Sequence, residues 1–386
     1  QVKDKVFICG LPLFHVNAVI ATGIMPFSKG ATVVLGPPAG YRSSGILENF
    51  WHIVEQYKIN YFSGVPTIYS KLLEFPVKDA DISSLEFGIC GAAPMSVELF
   101  QTFEATTGVQ IIEGYGLTEG TCVSTLNPLV GERRIGSIGQ SLPYQEIKIV
   151  LLKENNQYER TCDVNEVGTL IMKGAHVFAG YSEEIFNENV WIRLPDSSEI
   201  WLNTGDLGYM DTDGYFWLTG RQKELIIRGG HNIDPKSIEE VLHKHPAVAL
   251  AAAVGKPDSV LGEVPVAYVE LKSNMLTTSK MLLNFTKMNI GERAAIPKEI
   301  HIVEKITITA VGKIFKPTLV NMEITKVVND NLSVLKEIDF TRTEVVNDEK
   351  QGRVVQIALK ENIEKDQVSA MIQQALAGFT FRYRLI

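Results

Sequence analysis

Apolar positions in the first hundred or so residues switch between two periods. Lys5 to Cys9 has the character of a short strand, and Leu47, Phe50, Trp51, Val54 and Tyr57 then recur at helical spacing. Asn60 to Pro66 reads as a strand running into a turn, and Leu85 to Cys90 as a further strand. Gly91-Ala92-Ala93-Pro94 turns the chain into a helix carrying Leu99, Phe100 and Phe103, which Gly108 ends. Strands alternating with helices predict βαβ units and a mostly parallel sheet, so the fold class is α/β.

From about Gly131 to Thr219 the texture changes. Short alternating runs such as Glu146 to Val150 and Gly168 to Met172 sit between Gly, Pro, Asn and Asp clusters, which predicts a β-rich, barrel-like subdomain. Beyond Gly220-Arg221, Asp234 suits a helix N-cap and Pro235 the first helical position, with Ile238, Val241 and Leu242 on one face. Strands expected at Ala249 to Gly255 and Val264 to Leu271 complete a small α+β domain. After about Asn321, alternation at Val355, Ile357 and Leu359, a helical stripe from Val368 to Leu376 and alternation from Phe379 to Leu385 predict a strand–helix–strand module. The expected division is 1–130, 131–221, 222–320 and 321–386.

The length of 386 residues is too great for one ordinary domain, and 45% hydrophobic residues are enough for several cores. With 37 basic against 45 acidic residues the formal charge is -8, which argues against an electrostatically driven nucleic-acid binder. No apolar run reaches the length of a membrane span. Cys9, Cys90, Cys122 and Cys162 are widely spaced without a C-x-x-C pair. Buried thiols in a reducing, cytoplasmic setting are therefore expected rather than a metal cluster or disulfide framework.

Four polar clusters carry candidate chemistry, and each has a plain structural alternative. Glu113-Gly114-Tyr115-Gly116-Leu117-Thr118-Glu119-Gly120 is a glycine-punctuated loop that a tight strand-to-helix turn would also explain. Asn203-Thr204-Gly205-Asp206-Leu207-Gly208 would serve as a β-turn. Gly220-Arg221-Gln222-Lys223-Glu224 would serve as a solvated charged connection, and Gly312-Lys313 as a turn with a surface lysine.

Together, in this order, the clusters resemble the AMP-forming adenylating superfamily: acyl-CoA synthetases, firefly-luciferase-like enzymes and nonribosomal peptide adenylation domains. The resemblance runs from about Leu11 to Leu319 and does not reach the last sixty-odd residues. It implies a large adenylating domain followed by a small mobile one, with ATP, Mg²⁺ and CoA as reactants and cofactor. Leu11-Pro12-Leu13-Phe14-His15 is similar to the family's early aromatic motif, so Phe14 or His15 is expected to border the acyl pocket, together with Val65. A hydrogen-bonded histidine at a strand end is the alternative for His15. Gly91, Ala92 and Ala93 match the segment against the adenine and the substrate carboxylate, where absent bulk allows close approach.

By the same resemblance Tyr115 stacks on adenine beside Gly116, and Thr118 bonds the α-phosphate or the carboxylate. Glu119 holds Mg²⁺, as a hard cation beside phosphates needs few protein oxygens. Asp206 accepts from the ribose hydroxyls and Arg221 also contacts the ribose. Lys223 is the hinge, Gly229 and Gly230 leave a channel for the pantetheine arm of CoA, and Lys313 is the fixed charge of the adenylation step. Luciferase-like members carry lysine where Gly229 stands, which leans the resemblance towards a CoA ligase.

Two departures accompany it. Thr307 stands where the superfamily usually has proline, which loosens the loop without removing the charge. The Ser/Thr/Gly-rich phosphate loop ending in Pro-Lys is not seen. In the family it precedes the Leu-Pro-Leu-Phe-His motif, before which this chain has ten residues. The expectation is an acyl-CoA synthetase without the N-terminal part of its large domain. The alternatives are an enzyme that loads a carrier-protein thiol, and a catalytically silent nucleotide-binding or interaction protein. The expected substrate is a small carboxylate, apolar or aromatic, because Phe62, Val65 and Ile68 suit an apolar pocket, although they suit a core equally.

Overall fold

Five parallel strands organise the beginning of the chain. The computed structural model describes residues 2–153, 155–195, 198–335, 340–348, 352–360 and 365–386. These form two compact units, Gln1–Lys223 with Ile308–Lys313, and Glu224–Thr307 with Ile314–Ile386.

In the first unit, β1 (Val6–Cys9), β2 (Thr32–Leu35), β3 (Tyr61–Gly64), β4 (Phe87–Cys90) and β5 (Gln110–Tyr115) are parallel in the order β2-β1-β3-β4-β5. Two short strands, β6 (Thr125–Leu126) and β7 (Gln140–Ser141), extend the sheet antiparallel. A helical segment of π type at Asn17–Ile24, continued by α1 (Met25–Ser28), connects β1 to β2. The later crossovers use α2 (Phe50–Tyr57), α3 (Pro66–Leu72) and α4 (Val97–Thr107). Helix α4 starts where the Ser96 hydroxyl accepts from the Leu99 amide, and it ends at Gly108. The helices bury Phe50, Trp51, Val54, Tyr69, Phe100 and Phe103 against Phe62 and Ile111. Each such side chain contributes up to about 1.5–3 kcal/mol through its burial.

The β-rich stretch is a six-stranded sheet of β8 (Gln145–Leu152), β9 (Tyr158–Thr161), β10 (Gly168–Gly174), β11 (Trp191–Arg193), β12 (Ile200–Met210) and β13 (Phe216–Arg221). All of its pairings are antiparallel. Alternation at Ile149, Leu170, Met172, Leu202 and Phe216 buries one cluster together with Tyr115 of β5.

In the second unit, β14 (Ile226–Arg228) and β15 (His231–Ile233) form a tight hairpin before α5 (Pro235–His243). Asp234 caps α5 as expected, its side chain accepting from the Lys236 amide. The long strands β16 (Val248–Asp258) and β17 (Gly262–Leu271) pair antiparallel. Helix α6 (Ser279–Asn289) leads to β18 (Glu299–Val303), parallel to β17. Helix α7 (Lys316–Ser333) runs unbroken through Asn321, the position taken as the start of the tail. It does so because Ile324, Val328 and Leu332 continue its apolar stripe. The tail's strand–helix–strand portion is β20 (Gly352–Leu359), α8 (Lys365–Leu376) and β21 (Arg382–Leu385), and it is preceded by β19 (Phe340–Asp348). The sheet order is β19-β20-β21, antiparallel then parallel. Val355, Ile357, Val368, Ile372 and Leu376 share one core with α7.

Cys9, Cys90 and Cys122 are buried, Cys162 is half-buried, and all four are unpaired. No helix among the described residues is long and apolar enough to cross a membrane.

Candidate functional site

The site is built around Asp206, a carboxylate on β12 that is 3% exposed. The β10–β12 ladder slips here: Thr169 faces Leu207 and Ile171 faces Asn203, so residues 204–206 bulge opposite Leu170. A bulge of this kind re-aims the side chain it carries. Thr204 fixes it, its hydroxyl donating to the Leu170 carbonyl at 2.7 Å and accepting from the Asp206 amide at 3.1 Å. Residues 204–206 are therefore a bulge within one strand, and not the β-turn that was the plain structural alternative for 203–208.

Both Asp206 oxygens are engaged by side chains distant in sequence. The Tyr115 hydroxyl donates to Oδ2 at 2.5 Å, and Arg221 Nε donates to Oδ1 at 2.8 Å. Arg221 faces Asp206 directly across the β12–β13 pair. Burial, then the Asp206 charge, pushes the Tyr115 hydroxyl well above its ordinary pKa.

Lys313 belongs to the same unit, on a loop closed on itself. The Lys313 amide donates to Thr309 Oγ1 at 3.1 Å, and the Thr309 amide donates to the Lys313 carbonyl at 2.7 Å. Thr67, at the start of α3, anchors this loop by donating its hydroxyl to the Gly312 carbonyl at 2.7 Å. The Lys313 ammonium is half-buried. Burial lowers its pKa first and the neighbouring Arg221 charge lowers it further, while Asp206 opposes both. His15 is drawn into the same neighbourhood, its pKa lowered by burial and then by Lys313. Phe14 instead projects outward, 74% exposed, and Val65 is fully buried in the core beneath Gly312.

The 115–122 loop depends on Gly116. A Cβ there would lie 1.4 Å from the Cys122 carbonyl oxygen, so the backbone closes against itself only with glycine. Thr118 is exposed, and Glu119 follows it on a single turn, Thr118–Gly120. Glu119 accepts from the Tyr181 hydroxyl, and the Phe178 amide donates to the Glu119 carbonyl at 2.8 Å. Gly91 opens the segment after β4, and a Cβ on it would press to 3.1 Å on the Gly114 carbonyl oxygen. Ala92 and Ala93 follow without bulk.

Lys223 lies on the short turn Gln222–Glu224, and the two compact units part between Lys223 and Glu224. Gly229 and Gly230 form the two-residue connection of the β14–β15 hairpin with φ of 56° and 86°. Such a turn needs positive φ at both positions, so its geometry alone already calls for the glycine pair.

Thr67, Thr204 and Tyr181 were not anticipated. Thr204, two residues before Asp206, carries a local signal, since threonine hydroxyls commonly bond the backbone two positions on. Thr67 and Tyr181 carry none, because their partners lie 245 and 62 positions away.

On this scaffold, the model for AMP-binding enzymes matches residues 1–182 and that for the AMP-binding enzyme C-terminal domain matches residues 237–313. The chain belongs to the AMP-binding enzyme family. It is 43% identical over 384 residues to the marinolic acid–CoA ligase of Pseudoalteromonas sp. (strain SANK 73390), covering 99% of this chain and 58% of the relative. The fold is similar to that of ATP-bound MatB from Rhodopseudomonas palustris, with TM-score 0.72 and 26% identity, covering 82% of this chain and 60% of that one. It is also similar to the anthranilate CoA ligase AuaEII in complex with anthranoyl-AMP, with TM-score 0.71 and 25% identity over 83% of this chain and 59% of that one. The chain thus spans less than two thirds of the length of these relatives.

Proposed function

We propose that the protein activates a carboxylic acid with ATP as an acyl-adenylate and passes the acyl group to the thiol of CoA. The observation that carries this reading is that Tyr115, Asp206, Arg221 and Lys313, spread over some two hundred positions, form one linked polar set in one unit. Asp206, pre-aligned by Tyr115 and Arg221, accepts from the ribose hydroxyls. Gly91, Ala92, Ala93 and Gly116 let the adenine approach backbone, with the Tyr115 ring beneath it. Thr118, exposed at the start of its turn, donates to the α-phosphate or the carboxylate.

Carboxylate attack at the α-phosphorus gathers negative charge, and pyrophosphate leaves. Lys313 meets that charge as a fixed ammonium rather than as a base, since the attacking carboxylate carries no proton. Partial desolvation strengthens its field, because charges interact more strongly where water is excluded. His15, held neutral by burial and by Lys313, borders the acyl group without adding a second charge. The family also implies Mg²⁺. Glu119 suits it as a single carboxylate, the donor number this cation takes beside phosphates, and bound there it would offset phosphate charge.

In the second half-reaction the CoA thiol attacks the acyl carbon and AMP leaves. The Gly229–Gly230 turn serves this step, and Lys223 is the hinge between the two steps. The division at residues 130, 221 and 320 belongs to this reading. A cytoplasmic setting is supported by four unpaired cysteines. The substrate is taken to be an apolar or aromatic acid, on the apolar character of Phe62, Val65 and Ile68. Marinolic acid and anthranilate, named for the relatives, show that family membership does not set the acid.

The test is ATP- and CoA-dependent thioester formation by the complete gene product across a panel of carboxylates. No thioester with any acid would sink the proposal. Lys313→Ala is expected to abolish adenylate formation while acyl transfer from a supplied acyl-adenylate largely survives. Equal loss in both half-reactions would contradict the role given to Lys313.

A further inference from the structure

The connection between β16 and β17 is held from two sides within the second unit. On one side the Gly229 amide donates to the Leu261 carbonyl at 2.8 Å, and Arg228 pairs with Gly262. The Ile227 amide donates to Glu263 Oε2 at 3.0 Å. On the other side Gly378, shortly after α8, packs directly on Ser259. A Cβ on Gly378 would lie 2.7 Å from Ser259 Cβ and 3.3 Å from its carbonyl oxygen, so the module touches the connection with no room for a side chain. Arg353, on β20 of the same module, is the cation opposing Glu263. Burial raises the Glu263 carboxyl above its ordinary pKa, and the Ile227 amide and Arg353 hold it down.

We propose that the C-terminal module braces the Gly229–Gly230 turn. Gly378 fixes residues 259–261, Glu263 accepts from the Ile227 amide with the Arg353 charge favouring its carboxylate form, and these two supports act together on the strand that carries the turn. Free, the β14–β15 hairpin is two strands of three residues each, too short to hold a geometry unaided. Outside itself the hairpin pairs Arg228 with Gly262, and the Arg228 guanidinium also donates to the Ala294 carbonyl at 2.6 Å, so residues 259–263 are one of the supports that set the stiffness of the turn. Functionally this rests on the reading that the turn serves thioester formation. Arg353 and Gly378 are then positioning residues for that step and not for adenylation.

Amide hydrogen exchange on this 386-residue chain tests the brace directly, comparing wild type with Arg353→Met, Arg353→Lys and Gly378→Val. Exchange at Ile227 and Gly229 is expected to quicken about tenfold in Arg353→Met and Gly378→Val, as for a local opening, with Val266 and Val269 in mid-β17 unchanged. Arg353→Lys should restore most of the protection. If Gly378→Val does not fold, the Arg353 pair decides. Unchanged exchange at Ile227 and Gly229 overturns the brace.

In the complete gene product, Arg353→Met should slow acyl transfer from a supplied acyl-adenylate to CoA about tenfold and leave ATP–pyrophosphate exchange unchanged. Equal slowing of both, or of neither, overturns the positioning role. A wild-type protein that forms no thioester would refute the proposed function, while the amide exchange would still decide whether the brace exists.

Discussion

Replacing Tyr115 by phenylalanine isolates the contact that aligns Asp206. The ring stays among Ile138, Leu170, Met172, Leu202 and Phe216, so no cavity opens. What is lost is chiefly the hydrogen bond to a carboxylate that is 3% exposed. Hydrogen bonds to charged groups contribute about 1.5–3 kcal/mol. Because Arg221 still pairs with Oδ1, the charge is not orphaned, and the loss should fall below the roughly 3–5 kcal/mol of a broken buried pair. We expect about 2 kcal/mol. All four tryptophans, Trp51, Trp191, Trp201 and Trp217, lie in the first unit, so urea unfolding followed by their fluorescence reports that unit alone. The midpoint should drop by about 1 M urea for a slope near 2 kcal/mol per M.

The pH dependence supplies a second check on the same variant. The folded-state pKa of Tyr115 is raised, so its contribution is complete below the unfolded tyrosine value of about 10 and is lost as pH rises beyond it. The difference between wild type and Tyr115→Phe should be flat from neutral pH to about 9 and shrink above 10. A variant within about 0.5 kcal/mol of wild type at neutral pH would refute the reasoning, since that is the scatter of surface substitutions.

Other consequences are equally open to measurement. Lys313→Met removes the charge that, after burial, depresses His15, so the His15 imidazole should titrate at higher pH by NMR; an unmoved titration would separate the two residues. With the Lys313 pKa lowered by burial and Arg221, the adenylation rate should lose its ammonium-dependent activity on the alkaline side, with a midpoint below the ordinary lysine value; a limb at or above that value would contradict this. Gly116→Ala places a Cβ 1.4 Å from the Cys122 carbonyl oxygen and should cost about 1–3 kcal/mol or more, seen in the same urea titration. Thr67→Val removes the bond to the Gly312 carbonyl and should lower adenylation with little loss of stability, about 1 kcal/mol, while Thr67→Ser restores it.

Much of the architecture was legible because local rules and the tertiary structure agree. The alternation of strand and helix periods up to Gly108 marked the parallel sheet, although α2 begins at Phe50 rather than Leu47 and Pro66 opens a helix rather than closing a turn. Ser96 and Asp234 mark helix starts through bonds to residues two or three positions away, a range a sequence displays. Strand β19 was missed because Arg, Thr, Glu, Asn and Asp interrupt its alternation, and pairing with β20 is what organises it. The long α7 was missed because its stripe acquires meaning only against β20 and α8.

By itself the sequence determined the family, through polar clusters whose order and spacing are readable in one dimension, and the helix caps and turns that depend on near neighbours. Only the tertiary structure decided that residues 204–206 bulge from a strand instead of turning, and that Asp206 is shared by Tyr115 and Arg221. It also decided that Thr67 holds the Lys313 loop and that Gly378 presses on Ser259. The reason is physical: a cap is set by the free energy of a few adjacent residues. A contact across ninety or two hundred positions exists only after many other contacts have met the entropy of closing the chain between them.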